Sequence, residues 1–79
     1  MKHIVVYTTR DCPWCVRAKT LLKSKGLDYE EINISSDPDF ALEMLQRSGR
    51  RTVPQIFIDD KSIGGFTELA GLGKERKLD

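Results

Sequence analysis

Metal ligands are scarce in this chain. It carries two cysteines and a single histidine, His3, in 79 residues. Zinc asks for four ligands, so Cys12 and Cys15 could form half of a site with no second half in the same chain. No apolar run approaches the ~20 residues of a membrane-spanning helix. Met1-Lys2-His3-Ile4 runs straight into an apolar segment, without the long apolar region and small-residue cleavage site of a secretory signal. The expected location is therefore the cytoplasm, with no membrane partner. Charge of one sign is not in excess either: 13 Lys and Arg against 12 Asp and Glu leave a net charge of +1. That balance argues against nucleic acid as the main partner. Repeats, linkers and low-complexity segments are lacking, so residues 1–79 are expected to form one domain. A domain this short needs a compact, well-patterned core.

What is present is patterned. Residues 3–8 are rich in β-branched side chains and read as a buried strand. Residues 13–25 read as a helix with Pro13 at its first position, an apolar stripe of Ala18, Leu21 and Leu22, and Gly26 as its stop. Residues 28–33 read as a second strand. Asp37-Pro38 starts a second helix as N-cap and first helical residue; Phe40, Ala41, Met44 and Leu45 form its apolar face, and Gly49 ends it. Residues 55–58 read as a third strand, 59–61 as a turn, and Ser62-Ile63 as the start of a fourth strand broken by Gly64-Gly65. A last helix starts near Phe66-Thr67 and is expected to fray at Gly73. The order β-α-β-α-β-β-α implies a parallel first pair and an antiparallel last pair. The expected fold class is α/β, a mixed four-stranded sheet with three helices on its two faces.

The chemistry centres on Cys12-Pro13-Trp14-Cys15. With Cys12 as N-cap, its sulfur sits where a helix N-terminus wants an acceptor, within reach of the N–H groups of Trp14 and Cys15. A thiolate is favoured there, and its pKa should fall below the ~8.5 of a free cysteine. Arg10 should lower it further, while Asp11 acts in the opposite direction. Cys15, one turn on, is close enough to close a disulfide and should be the more buried sulfur. In a reducing compartment such a pair is more often catalytic or metal-binding than a structural staple. Inert core thiols are the bland alternative, which Pro13 at the helix start disfavours. Pro54, just before a strand, reads either as a trans proline marking the strand start or as a cis turn; the cis form would turn the Val53 backbone outward to pair with an extended peptide. Gly64-Gly65 permits close backbone approach, and the helix N-terminus after it can hold a carboxylate; alone, the pair is also common loop punctuation. Trp14 is expected to be exposed, His3 to be a solvated strand end, and the basic helix over 13–25 to be a solvated face that could steer an anionic thiol or an acidic partner.

Cys12-Pro13-Trp14-Cys15, Thr52-Val53-Pro54-Gln55-Ile56-Phe57-Ile58 and Gly64-Gly65 before the last helix resemble, in order and spacing, the small dithiol glutaredoxins of bacteria. The resemblance covers nearly the whole chain. It implies the thioredoxin fold and a cis Pro54. It implies a glutathione-dependent thiol–disulfide oxidoreductase with Cys12 and Cys15 as catalytic residues, glutathione as co-substrate, no permanently bound cofactor and no metal. Arg10 is then expected to meet the glycine carboxylate of glutathione, assisted by Arg51. Thr52 lines the site, and the Val53 backbone ahead of Pro54 pairs with the cysteinyl part. The segment from Gly65 through Phe66 and Thr67 holds the γ-glutamyl carboxylate, and Glu68 faces its ammonium.

Departures from the family pattern are informative. Trp14 replaces a more usual Tyr, which narrows the site or adds stacking area. Phe66-Thr67-Glu68 stands where Cys or Ser followed by Asp is common; Glu68 is one methylene longer, and Phe66 is placed to screen the thiol from water. The early end at Leu78-Asp79 is expected to shorten or loosen the last helix. Expected partners are glutathione and disulfide-containing or glutathionylated proteins, ribonucleotide reductase among the candidates, acting on a monomer. Two rival functions stay open: a redoxin reduced by thioredoxin reductase, and an iron–sulfur carrier built from two chains and two glutathiones. Pro13 disfavours the carrier, and a pure interaction module leaves both cysteines unexplained.

Overall fold

The computed structural model describes residues 3–75. Leu78 and Asp79, expected to loosen the last helix, lie outside the described residues. The elements follow as β1 (Ile4–Thr8), α1 (Pro13–Ser24), β2 (Glu30–Asn33), α2 (Pro38–Ser48), β3 (Gln55–Ile58), β4 (Lys61–Gly64) and α3 (Phe66–Lys74). The sheet order is β2-β1-β3-β4. β1 pairs parallel with β2 and antiparallel with β3, and β3 pairs antiparallel with β4. This is the expected mixed four-stranded sheet.

β1 is buried along its whole length because both faces of the sheet are covered. Successive side chains of a strand point to opposite faces. Ile4 and Val6 accordingly join Ala18 and Leu22 of α1, Ile56 of β3 and Leu69 of α3 in one core layer. Val5 and Tyr7 join Phe57 and Met44 of α2 in the other. A register shift between Ile56 and Phe57 sets Gly64 opposite Ile56, and the chain then enters α3.

Local sequence sets the helix boundaries. Asp37 Oδ1 accepts from the Asp39 N–H at 2.9 Å, with Pro38 following as first helical residue, and Gly49 closes α2 in a left-handed conformation (φ 73°). α2 is pinned to the sheet by Arg47, whose guanidinium lies 4.3 Å from the Phe57 ring centre and donates to Tyr7 Oη at 2.7 Å. Tyr7 in turn donates to Glu43. Burial first, then the hydrogen bond to Glu43, pushes the Tyr7 phenol above its ordinary pKa. α3, expected to fray at Gly73, instead runs through it to Lys74, because the Glu75 N–H still bonds the Gly71 carbonyl at 3.1 Å. β4 likewise begins at Lys61, inside the expected turn.

Leu22 is fully buried between α1 and the sheet, whereas Leu42 on α2 is half exposed. Leu22→Ala should therefore cost about 2–5 kcal/mol in urea unfolding, and Leu42→Ala should fall within about 0.5 kcal/mol of the parent.

Candidate active site around the Cys12–Cys15 pair

β1 ends at Thr8, and the chain turns through Asp11 in a left-handed conformation (φ 58°) before α1. Aspartate tolerates that region better than most side chains. The turn leaves Cys12 extended as N-cap of α1, with Pro13 at the first helical position. Cys12 Sγ accepts from the Cys15 backbone N–H at 3.1 Å. The helix thus presents an otherwise unpaired N–H and the positive end of its dipole to that sulfur. Cys12 and Cys15 form a disulfide with Cα atoms 5.2 Å apart. Cys15 is buried and Cys12 half-buried, so only Cys12 can be reached from outside.

Val53-Pro54 is cis, as the family resemblance implied. The Val53 carbonyl oxygen lies 4.0 Å from Cys12 Sγ, which brings the turn before β3 against the reactive pair. Gln55, fully buried, shapes that turn: its side-chain amide donates to the Thr52 carbonyl at 2.9 Å and the Thr52 hydroxyl at 3.1 Å. Trp14 is 51% exposed, as expected of a ring between two reactive cysteines. It sits between the Arg17 guanidinium, 4.5 Å from its ring centre, and the Phe66 ring at 5.5 Å.

A groove of about 280 Å³ opens beside this pair. Its walls are Trp14 from α1, residues 52–55 from the turn and β3, Arg50, and residues 65–68 from the start of α3. Most of the expected glutathione-contacting residues therefore meet in one place: Trp14, Thr52, Val53, Pro54, Gly65, Phe66, Thr67 and Glu68. Arg10 and Arg51 are not on its walls. The Arg10 backbone N–H donates to Ser35 Oγ at 3.2 Å, in the loop before Cys12. Arg51 lines a separate apolar hollow with Ile34, Ala41, Leu42, Met44 and Leu45. Arg50 and Gln55 were missed from sequence. The available signal for Arg50 was spacing: in extended chain it falls on the same side as Thr52, two residues on.

Glu68 is tightly specified. Its Oε1 accepts from the Gly65 N–H at 3.2 Å and from the Arg50 guanidinium at 3.2 Å. The Gly65 hydrogen bond, more than Arg50, holds the carboxyl below its ordinary pKa, against an opposing effect of burial. Gly64 makes room for it: its φ of 108° is open to glycine, and a Cβ there would fall 2.9 Å from Glu68 Cγ. A Cβ at Gly65 would lie 3.3 Å from the Pro54 carbonyl oxygen, so the two walls meet closely at that glycine.

A second groove, about 540 Å³, lies between the start of α1 and β2, and both Cys12 and Cys15 line it. Lys19 and Glu31 pair across it at 3.0 Å, and the Thr8 hydroxyl donates to the same Glu31 oxygen at 2.7 Å. That hydroxyl, ahead of Lys19, lowers the Glu31 pKa against the effect of burial. Among the described residues, no three His, Cys, Asp or Glu side chains cluster as a metal site.

Residues 4–63 match the family model for glutaredoxin. The whole chain is 47% identical over 79 residues to glutaredoxin 3 of Escherichia coli (strain K12), covering 95% of that protein. The solution structure of glutaredoxin from Brucella melitensis superposes with a TM-score of 0.83 at 47% identity, over 98% of this chain and 84% of that one. A crystal structure of a buckwheat glutaredoxin–glutathione complex superposes with a TM-score of 0.87 at 32% identity, over 98% of this chain and 73% of that one. These neighbours share the thioredoxin fold.

Two outcomes follow from the Glu68 geometry. Gly64→Ala should destabilise the protein by about 1–3 kcal/mol, since alanine must adopt a left-handed φ and displace the carboxylate. Glu68→Gln should lower the urea midpoint near neutral pH. A carboxyl whose pKa is lowered by folding stabilises above its unfolded pKa and loses that contribution as pH falls through the folded value. The gap between Glu68→Gln and the parent should therefore be fully open at neutral pH, close in acid, and stay unchanged as this carboxyl meets alkaline pH.

Proposed function

The chain belongs to the glutaredoxin family, and on that premise we propose that it reduces protein disulfides and glutathione mixed disulfides through Cys12 and Cys15, with glutathione as co-substrate. The observation that carries the reading is the Cys12 sulfur, capped by the Cys15 N–H at 3.1 Å and 4.0 Å from the carbonyl of Val53, which lines the groove together with Pro54 and the start of α3. The thiolate is the attacking species in thiol–disulfide exchange. A position that donates a hydrogen bond to sulfur and adds a helix dipole favours the thiolate before substrate arrives.

On a glutathionylated substrate, Cys12 thiolate attacks the glutathionyl sulfur. The mixed disulfide breaks, the substrate leaves as a thiolate and takes up a proton, and glutathione is left bonded to Cys12. A second glutathione thiolate attacks the bound glutathionyl sulfur, releasing glutathione disulfide and the Cys12 thiolate. On a protein disulfide, Cys12 forms the mixed disulfide with one substrate sulfur. Cys15, deprotonated, then attacks Cys12 and releases the reduced protein. The resulting Cys12–Cys15 disulfide is opened by one glutathione at Cys12, and a second regenerates the dithiol. Burial of Cys15 restricts it to this internal step.

The tripeptide is assigned to the groove with its cysteinyl part along the Val53 backbone and its γ-glutamyl end at α3. There the N–H groups of Phe66 and Thr67 face a carboxylate, as helix N-termini do. Arg10 and Arg51 are assigned to the glycine end from the family resemblance alone. Both cysteines and the groove belong to one chain, so a monomer suffices. A reducing compartment, the cytoplasm, is where such a pair would cycle.

Turnover of a small glutathione mixed disulfide should consume NADPH with glutathione and glutathione reductase, and not with thioredoxin reductase. Activity with thioredoxin reductase alone would keep the cysteine chemistry and remove the glutathione assignment. Cys12→Ser should abolish both reactions. Cys15→Ser should keep deglutathionylation and lose reduction of protein disulfides.

A further inference from the structure

We propose that Arg50 is a specificity-determining residue of the groove: alongside the Phe66 and Thr67 N–H groups it receives the α-carboxylate of a γ-glutamyl group, while Glu68 receives the ammonium on the same carbon. The inference rests on the glutathione reading above and adds a residue to it. Among the described residues, Arg50 and Glu68 are the charged side chains that line the groove, one of each sign. They stand on opposite walls, Arg50 ahead of β3 and Glu68 in the first turn of α3, and meet at 3.2 Å. Their side chains are 57% and 43% exposed. An ion pair so open to water attracts weakly, so a ligand carrying both charges can part it.

An α-amino acid head carries one ammonium and one carboxylate on a single carbon. Inserted between the two side chains, it replaces each member of the pair with an opposite charge at once. Of the two carboxylates of glutathione, only the γ-glutamyl one has an ammonium beside it, so the pair reads that end of the tripeptide. The Glu68 carboxylate and the Arg50 backbone are fixed in place. Glu68 is held by the Gly65 N–H and by the space that Gly64 leaves. The Arg50 backbone is tied to the end of α2: its N–H donates to Ser48 Oγ at 3.0 Å, and that hydroxyl donates to the Met44 carbonyl at 2.6 Å. The guanidinium, presenting parallel N–H donors, suits a carboxylate better than a lysine ammonium does.

The test is single-turnover deglutathionylation in the Cys15→Ser background, with half-saturation and limiting rate measured separately. Three mixed disulfides of one thiol partner are compared, carrying glutathione, γ-aminobutyryl-cysteinylglycine (no α-carboxylate) or glutaryl-cysteinylglycine (no ammonium). Arg50→Met should raise half-saturation for the glutathione substrate roughly tenfold with a much smaller change in limiting rate. It should change half-saturation for the γ-aminobutyryl substrate by less than about twofold, because the interacting partner is already gone. Arg50→Lys should recover part of the loss. Glu68→Gln should show the same selective pattern with the glutaryl substrate. Equal weakening for all three substrates would overturn the proposal in favour of a structural role. Tighter binding of glutathione by Arg50→Met would overturn it in favour of a latch that holds Glu68 shut. If the parent discriminates among the three and Arg50→Met matches the parent, this proposal alone fails. If the parent treats all three alike, the glutathione reading fails with it.

Discussion

The hydrogen bond from the Cys15 N–H to Cys12 Sγ is the contact on which the rest of this structure turns. It exists because a cysteine occupies the N-cap of α1, a position that ordinarily calls for a side-chain oxygen. That placement has structural requirements. Asp11 must take a left-handed conformation, β1 must stop at Thr8, and Pro13 must start the helix. β1 can aim the loop reproducibly because it is clamped on both faces, by Ala18, Leu22 and Leu69 on one side and by Phe57 and Met44 on the other. The core thus serves the site by fixing one strand end.

The groove is built by the same economy of elements. The cis Val53-Pro54 turn and the start of α3 approach each other where Gly65 passes the Pro54 carbonyl. Gly64 leaves room for the Glu68 carboxylate to reach back to the Gly65 N–H. Arg50 then closes the far side of the groove against that carboxylate. Aromatic rings of Trp14 and Phe66 border the opening next to the sulfur. The result combines a sulfur at a helix N-terminus, a strip of backbone and one pair of opposite charges, which are the features a short zwitterionic peptide carrying a thiol can use.

Much of this was legible in the chain. β1, both long helices with their caps, and the role of Cys12 as N-cap follow from residues whose local preferences and tertiary setting agree. Fraying was expected at Gly73 because a glycine near a helix end weakens the last turn; here Gly73 sits within that turn, and the Glu75 N–H still finds a helical carbonyl. The residues alone left Pro54 open between trans and cis, since the turn depends on packing against α1 and α3; only the family resemblance pointed to cis. Arg50 was hidden for another reason. Its partner lies 18 residues away, and neighbouring Arg50 and Arg51 look equivalent until the backbone sends one to the groove and the other to the hollow beside α2.

The central claim is that the start of α1 favours the Cys12 thiolate. Titration of the Cys15→Ser variant, followed by the ultraviolet absorbance of the thiolate, tests it most directly, because the backbone N–H at position 15 remains and a single sulfur is left to titrate. The account predicts a midpoint clearly below the ~8.5 of a free cysteine. A midpoint at or above that value would show that the helix terminus does not activate the sulfur, and would contradict the account.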